Sequence, residues 1–338
     1  MSLELIIAGA LMTTLTGYVL TGVADFGAGA WYLAARGRRA PAQRAFIDRA
    51  LAPIWEANHV WLIVVLVLLF AGFPSAFTVI MTSLHIPLTL LLIGIVLRGA
   101  SFAFQHSDVP FDERLHWGSL FAVGSLVAPF WLGVVLGSVA AGLPPSSGSF
   151  AQRYVEPWLA PFPLVVGVFA TVLALYLAAA YLTVEAQDGE LRDEFRLRAI
   201  AAGIVAAGLE EALLLLSREG APLVWAGLTG TVWGVLAQFT TVVAGLAGIA
   251  CLWLKRFRWA RICIAGQVMV TLWAWVLAQW PYLVPPDLTI YNAAAPAPAL
   301  RAVLYALGGG AVLVFPALWY LFRVFKQQAV LGDDAPKA

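Results

Sequence analysis

The chain has 338 residues, of which 62% are hydrophobic and 12% charged, with 14 tryptophans and a mean hydropathy of +0.86. Those values exclude a soluble domain with an ordinary polar surface and describe an all-α, polytopic integral membrane protein. A net charge of +1 leaves no footprint for a nucleic-acid partner.

The first apolar stretch begins almost at Met1, lacks a basic leader and is too long for the core of a cleaved signal, so it reads as a mature helix. In chain order, windows of 20 or so apolar residues fall at about 3–34, 51–73, 76–98, 118–142, 159–184, 199–217, 223–254, 259–283 and 301–325. This predicts one integral membrane domain, residues 1–338, with nine transmembrane helices. The sixth window is the weakest, because Glu210 and Glu211 sit inside it.

The distribution of basic residues tests that count. Alternate connections and the C-terminal end carry 17 of the 20 lysines and arginines, and only Arg153, Arg218 and Arg301 fall on the other side. The positive-inside rule then places the N-terminus outside and the C-terminus in the cytoplasm. Cys251 and Cys263 flank a short basic turn on the cytoplasmic side, where a disulfide is not expected. The connections 143–158 and 284–299 are rich in Pro, Ser, Ala and Gly, whereas 99–117 and 185–198 are polar and mixed in charge. Gly133-x3-Gly137 and Gly230-x3-Gly234 offer small-residue ridges for close helix packing. Pro87, Pro129, Pro163 and Pro316 fall inside windows and are expected to bend their helices. No internal repeat is apparent.

The chemistry lies with polar residues inside the apolar windows. Pro53-Ile-Trp-Glu-Ala-Asn-His-Val-Trp-Leu-Ile63 places a carboxylate, an amide and an imidazole at the mouth of a long apolar run, and Glu56 and His59, three apart on a helix, share a face. Asp25 lies about ten residues, roughly 15 Å of helix, before the arginine-rich connection, and Arg98 closes the third window at the same surface. Short connections between antiparallel neighbours would gather Asp25, Glu56, Asn58, His59 and Arg98 into one cytoplasmic-side layer suited to proton entry, because ionisable groups left in hydrocarbon mark pathways or partners. The rival reading is that Arg98 only neutralises a carboxylate and the others cross-link helices.

Glu56-x-x-His59 and Glu113-x-x-His116 share the spacing of di-iron bundles, but the further carboxylates such a centre needs are missing at the right depth. His59 and His85, the deep imidazoles, differ in height by roughly 8 Å, which disfavours a bis-histidine haem. No metal ligand set, nucleotide motif or catalytic triad is evident, so the chain is expected to carry no redox centre of its own.

Three motifs, Ala24-Asp-Phe-Gly-Ala-Gly29, Ala52-Pro-Ile-Trp-Glu-Ala-Asn-His-Val-Trp-Leu-Ile63 and Leu97-Arg-Gly-Ala-Ser-Phe-Ala-Phe104, together with Gly124-Ser-Leu-Val-Ala-Pro-Phe-Trp-Leu-Gly133 and Trp280-Pro-Tyr-Leu-Val-Pro-Pro286, resemble subunit II of the cytochrome bd quinol oxidases, particularly the cyanide-insensitive branch. The resemblance implies two four-helix bundles plus one peripheral helix in a bacterial cytoplasmic membrane. It implies pairing with a similar subunit I that holds two haems b and one haem d and oxidises quinol, while subunit II supplies no haem ligand. It also leaves room for a small single-helix subunit and for a membrane lipid or quinone bound to this chain. By position, Glu56 matches the acid implicated in proton delivery toward the oxygen-reducing haem, Asp25 the acid of the first helix and Arg98 the base of the third. Gly22 stands where some members carry a second acid. A purely structural partner of subunit I, and more distantly a proton-coupled transporter, are the alternatives.

Overall fold

A computed structural model of the chain describes residues 2–51, 55–105, 111–143 and 148–331. Within these, the description covers the backbone alone at 51, 55–59, 105, 111–115, 315, 318–319 and 321–331. Helix α1 (Leu3–Tyr18) passes through a π-helical turn (Val19–Val23) into α2 (Ala24–Leu33). A short amphipathic helix α3 (Ala40–Leu51) precedes α4 (Trp55–Gly72), α5 (Pro74–Ser83), α6 (His85–Gln105) and α7 (Phe111–Ala141). Two short helices, α8 (Phe150–Tyr154) and α9 (Glu156–Leu159), lead into α10 (Pro161–Glu185), α11 (Gly189–Gly220), α12 (Pro222–Gly230), α13 (Val232–Trp253) and α14 (Phe257–Ala278). A two-stranded antiparallel hairpin, β1 (Tyr282–Val284) and β2 (Leu288–Thr289), and α15 (Ala297–Leu331) complete the chain.

Among the described residues, eight helical spans are long and apolar enough to cross a membrane, or nine if one bent pair counts as a single span. The bent pair is Val60–Gly72 with Pro74–Ser83, at 117°. The chain breaks there because Pro74 has no N–H to donate and forces the preceding Phe73 out of the helical region, to φ −135° and ψ 63°. The apolar window 76–98 therefore contains a second break, at Leu84, and the third long span is His85–Phe104. Likewise 223–254 is carried by two helices that meet at Thr231, whose hydroxyl caps α13 by accepting from the Gly234 N–H at 2.9 Å.

Of the four prolines expected to bend spans, only Pro129 and Pro316 lie inside helices. Pro87 and Pro163 occupy the first turns of α6 and α10, where no intrahelical donor is lost. The Gly133 and Gly137 ridge packs as expected, against α10: a β-carbon on Gly133 would stand 2.6 Å from the Val166 carbonyl oxygen. Gly230 ends α12 instead, and nothing lies within 4 Å of it.

Helix α10 is the centre of the molecule and packs against α2, α7, α11 and α14. Its run of buried small residues, Ala174, Ala178, Ala179 and Ala180, lets neighbours come to backbone distance. Helix α15 touches α1 and α4, and apart from Leu300 its described side chains are exposed or half-buried, the place of a peripheral helix.

At one end, acidic and basic side chains from α3, α10, α11 and the α13–α14 turn meet. Arg39 pairs with Asp188 at 2.7 Å and with Glu190 and Glu194, Lys255 with Asp193 at 3.0 Å, and Arg261 with Glu185 at 3.5 Å. Gln43 donates to Glu194 and accepts from Arg198. This basic end gathers three of the connections whose arginines and lysines alternate along the sequence.

Candidate functional site: a buried acid and guanidinium

Asp25 opens α2 immediately after the π turn, eight residues from the end of that helix at Leu33. Arg98 lies seven residues from the end of α6 at Gln105. At 1.5 Å per residue both stand roughly 10–12 Å beneath the basic end. Arg98 thus does not close its span at the surface, as its place in the sequence suggested. It sits inside the helix packing with 1% of its surface exposed, and Asp25 retains 7%.

Glycines set this depth of packing. A β-carbon on Gly27 would stand 1.9 Å from the Ala174 carbonyl oxygen, and one on Gly29 would stand 2.2 Å from Ser125 Oγ. On Gly124 it would meet the Gly94 carbonyl oxygen at 2.7 Å and the Arg98 N–H nitrogen at 2.9 Å. Helices α2, α6, α7 and α10 therefore meet backbone to backbone around the pair, and no larger side chain fits at those positions.

The guanidinium lies between two rings. Its Cζ is 4.7 Å from the centroid of Phe26 and 5.2 Å from that of Phe121, both rings 1% exposed. Ring faces attract a desolvated cation by about 2 kcal/mol, which offsets part of the cost of holding Arg98 away from water. Asp25 and Tyr18 are close enough for their charges to act on Arg98. Toward the basic end, Phe121 meets Tyr32 edge-on at 6.2 Å, and Arg44 lies over the Tyr32 ring at 5.2 Å. An aromatic column thus separates Arg98 from the arginine-rich connection.

Helix α4 joins this layer through Trp61 and Leu62, which pack on the cluster of Tyr18, Val23, Phe26 and Leu91. The Trp61 ring lies against Gly17, 3.4 Å from where a β-carbon would be. Glu56, Asn58 and His59 precede Trp61 on the same helix, and their side chains lie outside the described residues. Of the five residues expected to form the layer, Asp25 and Arg98 are the two whose side chains are described; both are buried, and the Asp25 charge acts on Arg98.

Tyr18, Phe26 and Phe121 were not anticipated. Tyr18 precedes Asp25 by seven residues, two turns of a regular helix, a spacing that could have drawn attention to it. The π turn between them changes that register and left no mark in the apolar sequence. Such turns are frequent at functional sites.

The two described imidazoles do not suit a haem. His85 is exposed at the α5–α6 break, with Nδ1 2.9 Å from the Thr82 carbonyl oxygen and its ring against Tyr154, and His116 is exposed on α7. The depth assigned to His85 from sequence therefore does not hold, since the break at Leu84 brings it to the end of its helix. Among the described residues no group of three or more His, Cys, Asp or Glu side chains could hold a metal ion.

Residues 3–325 match the sequence model of the family described as cytochrome bd terminal oxidase subunit II. This chain belongs to that family. A Bacillus subtilis (strain 168) relative named as a cytochrome bd menaquinol oxidase subunit II is 24% identical over 321 residues, 91% of each chain. Cytochrome bd-I ubiquinol oxidase subunit 2 of Escherichia coli (strain K12) is 27% identical over 195 residues, 56% of this chain and 51% of that one. The fold matches a chain of the bd oxidase from Geobacillus thermodenitrificans with a TM-score of 0.76, covering 96% of this chain and 99% of the other at 23% identity. The cytochrome bd subunit II therefore places Asp25 and Arg98 in a multi-pass membrane fold shared with a bd oxidase, and its relatives are subunits of oxidoreductase complexes.

Proposed function

We propose that this chain is the haem-free subunit II of a quinol:oxygen oxidoreductase in a bacterial cytoplasmic membrane. In this reading it pairs with a haem-bearing subunit I and supplies part of the path by which cytoplasmic protons reach the oxygen-reducing centre. The basic end faces the cytoplasm, which puts the N-terminus outside. Haems b and d and the quinol site belong to the partner, which supplies the electron chemistry.

The observation that carries the reading is a carboxylate and a guanidinium both buried at similar depth within apolar helices, in a chain of this family. Such groups are costly in hydrocarbon and mark pathways. In the proposed path, Glu56 and Asp25 carry the proton as carboxyl groups, and Arg98 supplies a fixed positive charge in the same layer. The aromatic column between Arg98 and the basic connection leaves the α4 side, where Glu56 resides, as the route of entry. Asn58 and His59 belong to that side of the path. A small single-helix subunit and a lipid or quinone against this chain are compatible with the exposed apolar faces of α4 and α6.

The packing of Arg98 between two rings equally suits a scaffold whose charges only fasten helices. Glu56→Ala separates the two readings. Quinol-driven oxygen consumption of the purified complex should fall at least tenfold while the haem content per complex, read from reduced-minus-oxidised spectra, stays at the wild-type value. Wild-type turnover in that variant would favour the scaffold.

A further inference from the structure

A cavity of about 330 Å³ opens between α7, α10, α11, α12, α13 and α14 and is walled almost entirely by apolar side chains. Its volume lies in the range of small-molecule sites. Two acids reach it from neighbouring positions of α11: Glu210, half-buried, accepts a hydrogen bond from the Thr271 hydroxyl at 3.1 Å, and Glu211 stands exposed beside it. Among the described lining residues none is Lys, Arg or His. Counted from Arg218, which marks the outer water in the proposed orientation, Glu210 is eight residues down, about 12 Å.

Two further polar groups in the wall lack partners. Gln267, 6% exposed, has no hydrogen bond to its Oε1, and Tyr176, 1% exposed, has none to its Oη. Gly245 makes room for the Gln267 side chain and Gly203 for the Tyr176 ring: a β-carbon at either would come within 2.8–2.9 Å of them. Buried polar atoms are almost always paired, so two orphans facing one cavity signal a group that completes them. The wall also offers the rings of Phe162, Phe169, Tyr176 and Trp275.

We propose that this cavity binds a hydrophobic organic cation, a protonated amine carried on a hydrocarbon body, whose N–H groups donate to the orphaned oxygens. Carboxylates without a basic counterpart, acceptor oxygens in need of a donor, and aromatic faces are together the recognition chemistry of such a cation, and the apolar wall takes the hydrocarbon. The occupant comes either from the bilayer, as an amine-headed lipid, or from solution as a free cation. The inference does not depend on the proton path, which lies on α2, α4 and α6.

The test uses the chain purified with its partner in a nonionic detergent and radiolabelled octylammonium at neutral pH as probe, followed by equilibrium dialysis. Saturable binding of one probe per complex is expected, weakened at least tenfold in Glu210→Gln and in Gln267→Leu, and not displaced by equimolar n-octanol. Retention of about one amine-headed lipid per complex, lost in Glu210→Gln, identifies the bilayer as the source, and its absence identifies a free cation. No saturable binding to the wild type, equal binding in both variants, or equal displacement by n-octanol overturns the proposal. Haem spectra of each complex establish that a weakened variant is assembled, and if Glu210→Gln does not assemble, Gln267→Leu decides.

Discussion

Replacing Gly27 by alanine adds one methyl group at the point where α2 touches α10. The new carbon would lie 1.9 Å from the Ala174 carbonyl oxygen and 2.3 Å from its carbon. Both are backbone atoms, so no side-chain rotation relieves the contact, and the helices must part by about 1.5 Å to restore ordinary van der Waals distance. Overpacking of this kind costs about 1–3 kcal/mol. Asp25 precedes Gly27 by two residues on the same helix and moves with it. Displacement of a reacting group by about 1 Å can lower a rate by about 100-fold, so oxygen consumption should fall by ten- to 100-fold, together with a lower melting temperature of the purified complex. Gly266→Ala is the control, since nothing lies within 4 Å of a β-carbon there. It should leave stability unchanged or raise it by about 0.4–1 kcal/mol through the stiffer unfolded chain. If Gly27→Ala melts and turns over like Gly266→Ala, helix contact at Ala174 does not position Asp25, and the account of the site is wrong.

Asp25→Asn keeps shape and removes the exchangeable carboxyl. It should slow turnover at least tenfold with the haem spectrum intact, and unchanged proton uptake in single-turnover measurements would count against the path. Arg98→Leu leaves the buried Asp25 without the charge of the guanidinium, a loss of about 3–5 kcal/mol by analogy with broken buried pairs, read as a drop in yield and melting temperature that Arg98→Lys only partly restores. At the basic end, Arg39→Ala removes contacts to Asp188, Glu190 and Glu194 that are partly exposed. The cost should be no more than about 1 kcal/mol and should shrink in high salt, with faster amide exchange in α3 as the local signature. Ser149→Ala breaks a capping box in which Ser149 and Gln152 bond reciprocally, and should loosen α8 by about 1 kcal/mol without touching turnover.

How much of this was legible in the sequence depends on the residue. The long spans follow from length and apolarity, and the basic connections that alternate along the chain do meet at one end through Arg39, Lys255 and Arg261. Asp25 and Arg98 were legible as residues of interest because a charge is too costly in hydrocarbon to be left there without a partner or a task. The depth of Asp25 was close to that read from the sequence, but that of Arg98 was not: α6 runs seven residues past it, so a span ended at Arg98 stopped too early. The breaks at Phe73, Leu84 and Thr231 were hidden for a related reason. Apolar composition runs through them unchanged, and only the missing Pro74 donor and the Thr231 cap, read at the level of single backbone groups, reveal them. Tyr176 and Gln267 passed unnoticed because one polar residue in a membrane helix says nothing of a cavity until its neighbours are placed.

The π turn at Val19–Val23 makes the first span one residue longer than the same rise would need as an α-helix. The extra residue is absorbed as a wider turn, so deleting one valine or leucine there would let the turn close as α-helix, whereas losing one residue from the regular helix before it would swing everything beyond by about 100°, more than a quarter turn. Asp25 would then face away from the guanidinium, although every amino acid of the layer would still be present. The length of this apolar segment is therefore under as strict a constraint as the identity of any charged residue it delivers.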